Sequence, residues 1–270
     1  MKITFIGGGN MASALIGGLL QQGFKTSEVC VVELNPDARA ALSSAFDIKP
    51  VPSLSAEAVQ VDLLVLAVKP QQLKSVAEEL RPLLREQLVV SIAAGVRTQD
   101  LARWLGDYAR VVRAMPNTPA LVRAGVTGLY ALPSVSQLQR DQAQQVMAAV
   151  GSCVWLSEEG QMDAVTAVSG SGPAYVFYFM EALEAAAIEL GLSAEQGREL
   201  ALETFLGAAQ LARSSPDSPA ALRAKVTSKN GTTERAIQAL EQTEVQQLIR
   251  KAVHAAARRS QEMGDALGKT

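Results

Sequence analysis

The chain opens with an apolar strand that runs directly into a glycine-rich turn, KITFIGGGNMA over residues 2–12. In this pattern Gly7 permits a tight turn, Gly9 lets the backbone approach a pyrophosphate, and Ala12 is small enough for a following helix to pack on the strand. The helix N-terminus would then present free N–H groups to an anion. An ordinary strand-turn-helix also uses glycine, but the apolar helical face of residues 13–20 favours a dinucleotide site.

The composition is that of an ordinary globular protein with a large core. Of its 270 residues, 48% are hydrophobic and 19% are charged, which suits about two domains. A net charge of -2 argues against a nucleic-acid-binding surface. No apolar run approaches the roughly 20 residues of a membrane span, and the N-terminus lacks a signal-peptide pattern, so we expect a cytoplasmic protein. Cys30 and Cys153 are expected to be small buried hydrophobes.

Seven short apolar segments alternate with helical ones in the first half of the chain, which predicts a parallel sheet covered on both faces. The predicted strands are residues 3–6, 29–33, 63–67, 88–92, 111–114, 127–130 and 153–156. With the glycine turn at its start, this pattern predicts an α/β fold whose first part, residues 1–157, is a Rossmann-type doubly wound dinucleotide-binding domain.

After Ser157 the sequence becomes rich in Ala, Leu, Glu and Gln, so residues 158–270 are predicted to form an all-helical domain for dimerisation and substrate binding. One helix should begin near Pro173 and end at Gly191. Its segment 175–180, YVFYFM, is apolar around most of the circumference. A homodimer core explains this best, and burial inside its own domain is the alternative.

Three strand ends carry unusual connectors, at residues 67–71, 92–95 and 115–120. Because the carboxyl ends of parallel strands meet at one edge of a sheet, these segments should form a single ligand-facing rim.

Glu33 follows the second strand, where the adenosine ribose of a dinucleotide is read. A carboxylate facing the ribose would accept from its 2′-hydroxyl, favour NAD and repel a 2′-phosphate. If Glu33 points into the sheet instead, the Asn35 side chain and nearby amides could hold that phosphate. Lys69 or Arg39 could supply positive charge.

Two hydroxyl-rich turns in the helical part, residues 169–175 and 227–233, each lead into a helix start. Their N–H groups could hold a small carboxylate, although simple capping loops look the same. No standard catalytic group is evident. His254 is expected to be solvated or packed, Ser171 lacks a partner base, Glu158 and its neighbour are expected to be exposed, and no cluster has metal-ligand spacing. The cofactor itself should carry the chemistry.

Five segments together resemble pyrroline-5-carboxylate reductase: GGGNMA at 7–12, AVKPQ at 67–71, AMPNTPALV at 114–122, VSGSGPAYVF at 168–177 and SKNGTT at 228–233. The resemblance spans nearly the whole chain. It implies NAD(P)H-dependent reduction of 1-pyrroline-5-carboxylate to L-proline, the last step of proline biosynthesis, by a dimer that assembles into larger oligomers. The family usually prefers NADPH, while Glu33 leaves room for NADH.

The resemblance also implies site residues. It makes Thr233 the catalytic residue, whose hydroxyl hydrogen-bonds the imine nitrogen. The implied substrate-binding residues are Ser171, Glu181, Ser228, Gly231, Thr232 and Thr233. The implied cofactor-binding residues are Gly7, Gly8, Gly9, Asn10, Met11, Glu33, Asn35, Ala67, Val68, Lys69, Pro70, Ala93, Asn117, Ser169 and Gly170.

One departure is visible in the substrate turn, where the family commonly has SPGGTT and this chain has SKNGTT. Asn230 adopts a left-handed conformation more readily than most residues, so the turn is expected to survive.

Two other functions fit the general plan of the chain. A β-hydroxyacid dehydrogenase would need a base, typically a lysine on the helix after the second glycine turn, and that helix has no lysine before residue 191. A non-enzymatic dinucleotide sensor would not need the two hydroxyl-rich turns.

Overall fold

The computed structural model describes residues 1–269. Within them the chain forms a seven-stranded sheet in the order β2-β1-β3-β4-β5-β6-β7. The strands are β1 (Ile3–Ile6), β2 (Val29–Val32), β3 (Leu63–Leu66), β4 (Leu88–Ser91), β5 (Val111–Met115), β6 (Gly125–Ala131) and β7 (Gly151–Trp155). All seven predicted strands are therefore confirmed, and so is the Rossmann-type start, because β1 lies between β2 and β3.

The sheet is mostly parallel rather than wholly parallel, which corrects the prediction. The β1, β2, β3, β4 and β5 strands pair in parallel, but β6 is antiparallel to β5, with Ala114 opposite Leu129. A parallel crossover needs a dozen or more residues. Residues 116–124, which contain only a short 3₁₀ turn, are too few to make one. Helix α5 then returns the chain so that β7 is parallel to β6.

Eleven α-helices occur in residues 1–269. They are α1 (Asn10–Gln21), α2 (Pro36–Phe46), α3 (Pro70–Leu80), α4 (Thr98–Trp104), α5 (Gln137–Ala148), α6 (Gln161–Val165), α7 (Gly172–Glu189), α8 (Ala194–Ser214), α9 (Pro219–Lys225), α10 (Thr232–Gln242) and α11 (Val245–Gly268). Between α6 and α7 lies a π-helical segment, Thr166–Gly170.

The sheet is buried on both faces, as a doubly wound fold requires. Along β3, Leu63 and Val65 belong to one apolar cluster together with residues of α1 and α5. Leu64 and Leu66 belong to a second cluster together with residues of α3 and α4. All four side chains are 0% exposed. Alternate residues of one strand thus face opposite layers of helices, which is why the strand sequences are continuously apolar.

The described chain divides into two compact units. One comprises Met1–Ser171 together with the end of α11 from Ala256, and the other is Gly172–Ala255. The division falls later than the predicted boundary at 157/158 because α6 and the π-helical segment pack with the sheet unit. Met162 and Ala167, which lie in these elements, are both fully buried.

The second unit is entirely helical, as predicted, but it buries little of its own apolar surface. Helix α7 contains no buried residue. Phe177 and Tyr178 are 57% and 71% exposed. Burial of this helix within its own domain is thereby excluded for the isolated chain.

Helices long and apolar enough to cross a membrane are absent from residues 1–269. Cys30 and Cys153 are free and half-buried rather than fully buried. Burial raises the pKa of both thiols, that of Cys153 to about 11.

Candidate active site

A cavity of about 510 Å³ lies at the carboxyl ends of β1, β2 and β3. From β1 the chain moves to one neighbour, β2, and later to the other, β3, so this edge is the topological switch point where open α/β sheets bind ligands. The predicted cofactor-binding residues that line it are Gly7, Gly8, Gly9, Glu33, Asn35, Ala67, Val68 and Lys69. The predicted ones outside its lining are Asn10, Met11, Pro70, Ala93, Asn117, Ser169 and Gly170.

The glycine turn is held so tightly that side chains are excluded at its first two positions. Gly7 has φ +99°, and a Cβ there would lie 2.7 Å from the Ala67 carbonyl oxygen. A Cβ on Gly8 would lie 2.5 Å from Leu42. At Gly9, by contrast, the space beside the backbone is open. The turn therefore packs against the protein on one side and leaves room at the start of α1 on the other.

The start of α1 has N–H groups that could hold an anion. Gly9 is its N-cap, and the Gly9 carbonyl accepts the Ser13 N–H at 2.9 Å. Helix geometry leaves the first N–H groups, those of Asn10 and Met11, without intrahelical acceptors. These groups and the helix dipole fit a pyrophosphate, and the Gly8 amide beside them is already taken by Glu33.

The Glu33 carboxylate lies at the glycine turn and does not point into the interior of the sheet. Its carboxylate accepts the N–H groups of Gly8 and Asn35, both at 2.8 Å. The Asn35 side chain is occupied in capping α2, where it accepts the N–H groups of Asp37 and Ala38. A ribose at this end of the cavity would therefore meet a carboxylate.

The Arg39 side chain, which the sequence offered as a source of positive charge, binds backbone carbonyl oxygens. The Arg39 guanidinium donates to the carbonyl oxygens of Glu33 and Leu34, at 2.8 and 2.7 Å. Lys69 lies across the cavity as the N-cap residue of α3, with Pro70 at the first helical position. Among the side chains that line the cavity, Lys69 is the one with a positive charge.

One face of α3 also lines the cavity and was missed from the sequence. Gln72, Ser75, Val76 and Glu79 are spaced at three and four residues, so they share one helical face. Helical spacing counted from Pro70 would have identified them, since the strand end before α3 was already placed at the ligand-facing rim.

A second strand end forms a separate group of contacts. Asn117 follows β5 and is 9% exposed. Its amide nitrogen lies 3.1 Å from the Ser169 carbonyl oxygen in the π-helical segment. A Cβ on Gly170 would lie 2.8 Å from the Met115 methyl group, so β5 and this segment pack closely. Three of the residues implied for the cofactor, Asn117, Ser169 and Gly170, therefore lie close together.

The hydroxyl-rich turn before α10 has the geometry of an anion-binding helix start. Asn230 has φ +60°, the left-handed conformation expected for it. The Gly231 N–H donates to the Ser228 carbonyl oxygen at 3.0 Å, and Gly231 caps α10. The N–H groups of Thr232 and Thr233 have no acceptor within the helix.

A carboxylate already lies at this turn. The Glu234 carboxylate accepts the Asn230 N–H at 2.8 Å, which ties the turn to the helix it precedes. Of the other residues implied for substrate, Ser171 lies at the end of the π-helical segment and Glu181 is exposed on α7.

Glu159 is not an exposed residue, which corrects the prediction for the pair it forms with Glu158. Its side chain is 18% exposed and lies 3.2 Å from the Arg113 guanidinium of β5. It also accepts the N–H and the hydroxyl of Thr98, both at 2.6 Å. The carboxylate therefore ties the start of α6 to β5 and α4, and only Glu158 is exposed as predicted. His254 is exposed on α11.

Comparison with known proteins gives two family matches. Residues 159–263 match the family described as pyrroline-5-carboxylate reductase dimerisation. Residues 2–95 match the family described as NADP oxidoreductase, coenzyme F420-dependent. The first match supports a homo-oligomer and the second supports pyridine-nucleotide binding.

Relatives match over almost the full length. A pyrroline-5-carboxylate reductase of Pseudomonas aeruginosa is 49% identical over 99% of this chain and 98% of its own. One of Haemophilus influenzae is 40% identical, over 97% of each chain.

Solved structures agree with these relatives. The pyrroline-5-carboxylate reductase of Coxiella burnetii superposes with a TM-score of 0.93 and 44% identity, covering 97% of this chain and 98% of that one. The pyrroline carboxylate reductase of Plasmodium falciparum, solved with NADP bound, gives 0.86 and 29% identity over 98% of each. A 3-hydroxyisobutyrate dehydrogenase of Mycobacterium tuberculosis, at 16% identity and a TM-score of 0.51, shares the fold alone.

Proposed function

Because the chain belongs to the pyrroline-5-carboxylate reductase family, it is a pyridine-nucleotide-dependent oxidoreductase acting on a CH–NH group, and we propose which of its residues carry the reduction of 1-pyrroline-5-carboxylate to L-proline. The observation that carries the assignment is the 49% identity over 99% of the chain. The cavity beside the glycine turn supports this assignment. The other two functions considered lack any comparable support.

The cofactor would be held at the carboxyl edge of the sheet. The cavity of about 510 Å³ fits part of a dinucleotide, and the open side of Gly9 with the first amides of α1 fits its pyrophosphate. Ala67, Val68 and Lys69 form the facing wall. We assign Ser169 and Gly170 to the nicotinamide end, and Pro70 and Ala93 to cofactor contacts from the segments that follow β3 and β4.

Cofactor preference would be decided at Glu33. Family resemblance and the NADP-bound relative favour NADPH. The Glu33 carboxylate, held at the glycine turn by two N–H groups, would accept from a ribose hydroxyl and repel a 2′-phosphate. The proposal is that Glu33 restrains the use of NADPH, so that NADH competes with it in this chain.

The substrate carboxylate would be held by the turn before α10. The amides of Thr232 and Thr233 stand free at a helix start, and a helix start favours an anion without a basic side chain. The Thr233 hydroxyl would then hydrogen-bond the ring nitrogen and keep the imine in one orientation. Gly231 and Ser228 shape the turn, and Ser171 and Glu181 are assigned to substrate binding by resemblance.

The proposed reaction requires no strong general acid or base from the protein. When bound, the reduced nicotinamide supplies a hydride to the carbon of the protonated imine. The protein has to orient the ring, hold its carboxylate and exclude water. This is consistent with a site whose proposed contacts are backbone amides and hydroxyls.

The assembly proposed is a homodimer through the apolar face of α7, with dimers joining into a larger oligomer. The dimerisation-family match over residues 159–263 supports the first step. We place the reaction in the cytoplasm, where reduced nicotinamide cofactors serve biosynthesis.

The test is a cofactor-oxidation assay on the purified protein. Loss of reduced-nicotinamide absorbance should depend on added pyrroline-5-carboxylate, with L-proline formed in equal amount. Gly7→Val is the negative control, because a side chain at that left-handed position meets the Ala67 carbonyl. The function would be refuted if the rate of NADPH or NADH oxidation did not depend on pyrroline-5-carboxylate. Cofactor binding without any turnover would favour a sensor.

A further inference from the structure

The Ser169 carbonyl lacks the donor that a regular α-helix would give it. An α-helix directs the N–H of the residue four positions later onto each carbonyl oxygen. Four positions after Ser169 stands Pro173, which has no N–H. The Ser169 carbonyl is partly buried, and a side-chain donor from elsewhere in the fold satisfies it.

Asn117 supplies that donor. Its side-chain Nδ2 lies 3.1 Å from the Ser169 oxygen, while its Oδ1 accepts the Val126 N–H at 2.9 Å. The Val126 N–H can only donate, which fixes the orientation of the amide. With 9% of its surface exposed, Asn117 has both ends of its amide engaged inside the protein.

The segment that Asn117 holds has an unusual backbone. Residues Thr166–Gly170 are π-helical, with the Ser171 N–H donating to the Thr166 carbonyl oxygen at 2.8 Å. Single π-helical turns of this kind occur frequently at functional sites. The Ser169 hydroxyl donates back to the Val165 carbonyl at 2.9 Å, so its side chain is held locally. The contact from Asn117 is the one that ties the Ser169 backbone to the strand end after β5.

We propose that Asn117 is a positioning residue for the nicotinamide end of the site. It acts through the Ser169 carbonyl, to which Pro173 cannot donate at α-helical spacing, and it fixes the backbone of residues 169–171. This inference rests on the proposed function, because that function assigns Ser169 and Gly170 to the nicotinamide. Asn117 would thus serve cofactor binding without touching the cofactor.

The proposal makes a rescue experiment possible. Asn117→Ala removes the donor, and the added substitution Pro173→Ala restores an N–H four positions after Ser169. The matched control is Asn117→Ala combined with Pro219→Ala, because Pro219 also lies in the first turn of a helix but in another part of the chain. Pro173→Ala alone is included as a reference.

Two readouts separate positioning from loss of fold. Dissociation constants are measured by calorimetry for NADH and for ADP-ribose, which carries the adenine half without the nicotinamide. Asn117→Ala should weaken NADH about tenfold, the scale of one lost buried hydrogen bond, and leave ADP-ribose within about twofold. The kcat with pyrroline-5-carboxylate should fall in parallel.

Pro173→Ala should recover most of the NADH affinity in the Asn117→Ala background, and Pro219→Ala should recover none. Failure of that rescue, or equal recovery by Pro219→Ala, would overturn the proposal and point to direct contact or general destabilisation. Equal weakening of NADH and ADP-ribose would also overturn it. If the unmodified protein bound neither compound, the proposed function itself would fail instead.

Discussion

The sheet unit and the helical unit of this chain differ in how completely each buries its apolar residues. In the sheet unit the strands β1, β3 and β4 are buried along their whole length. In the helical unit, Gly172–Ala255, only Gly197 and Ala201 are buried. The first therefore has a complete core, and the second does not.

The exposed apolar residues of the helical unit show what is missing. Leu190 is 84% exposed, Tyr178 71% and Phe177 57%. Large contiguous apolar surfaces on a folded chain mark interaction sites, and burial of such surface stabilises an assembly by roughly 25 cal/mol per Å². We therefore expect the sheet unit to bind a cofactor on its own and the helical unit to be completed by a second copy.

Phe177→Glu should have the largest effect. A charge buried without a partner costs several kcal/mol, so the dimer should dissociate at concentrations where the unmodified protein stays assembled. Light scattering coupled to size exclusion measures this. Gln137→Glu, on an exposed position of α5 in the sheet unit, is the control and should leave the mass unchanged. An intact Phe177→Glu dimer would mean that the interface lies elsewhere.

Leu64→Ala should come next. The side chain is 0% exposed in β3, and truncation of a fully buried leucine costs about 2–5 kcal/mol. Denaturant unfolding followed by circular dichroism should show a loss that does not depend on protein concentration. Leu206, 48% exposed on α8, is the counterpart. A loss of stability for Leu206→Ala that depends on protein concentration would support the contrast between the two units. The same dependence for Leu64→Ala would contradict it.

Thr233→Ala should lower kcat about tenfold, the worth of one hydrogen bond of roughly 1.4 kcal/mol made in the transition state. Because Thr233 lies in the helical unit, the dissociation constant of NADH should not change. Thr233→Ser keeps the hydroxyl and is the control. Steady-state kinetics check both, and an unchanged kcat for Thr233→Ala would remove its catalytic assignment.

Glu33→Ser should have the smallest effect, a shift of about tenfold or less in the ratio of kcat/KM for NADPH over NADH, since the half-buried carboxylate lines an open cavity where salt partly screens its charge. The shift should favour NADPH, because a carboxylate that repels the 2′-phosphate is removed. The KM for pyrroline-5-carboxylate should stay constant. A cofactor ratio that does not move would show that Glu33 does not face the ribose.

Much of the sheet unit was predictable because its signals are local. Each strand is a short apolar run, and the glycine turn marks the first crossover. The direction of β6 was not predictable from the run itself. It depends on the shortness of residues 116–124, which only becomes decisive once β5 and β6 are known to be neighbours.

The contacts of the site were less predictable, because its side chains form hydrogen bonds with residues far away in the sequence. The Glu33 side chain could point toward the glycine turn or into the sheet, and the Gly8 amide, 25 residues earlier, holds it at the turn. Glu159 looked exposed until Arg113 and Thr98 were placed beside it. Sequence similarity indicated Asn117 as a cofactor residue, but its bond to Ser169 becomes visible only in the structure.

The most direct test of the contrast between the units is calorimetric titration of NADH into the Phe177→Glu variant, under conditions where light scattering shows a monomer. If the sheet unit carries a complete cofactor site, the dissociation constant should stay within about threefold of that of the assembled protein, a difference of less than roughly 0.7 kcal/mol. Loss of NADH binding by a folded monomer would contradict the account.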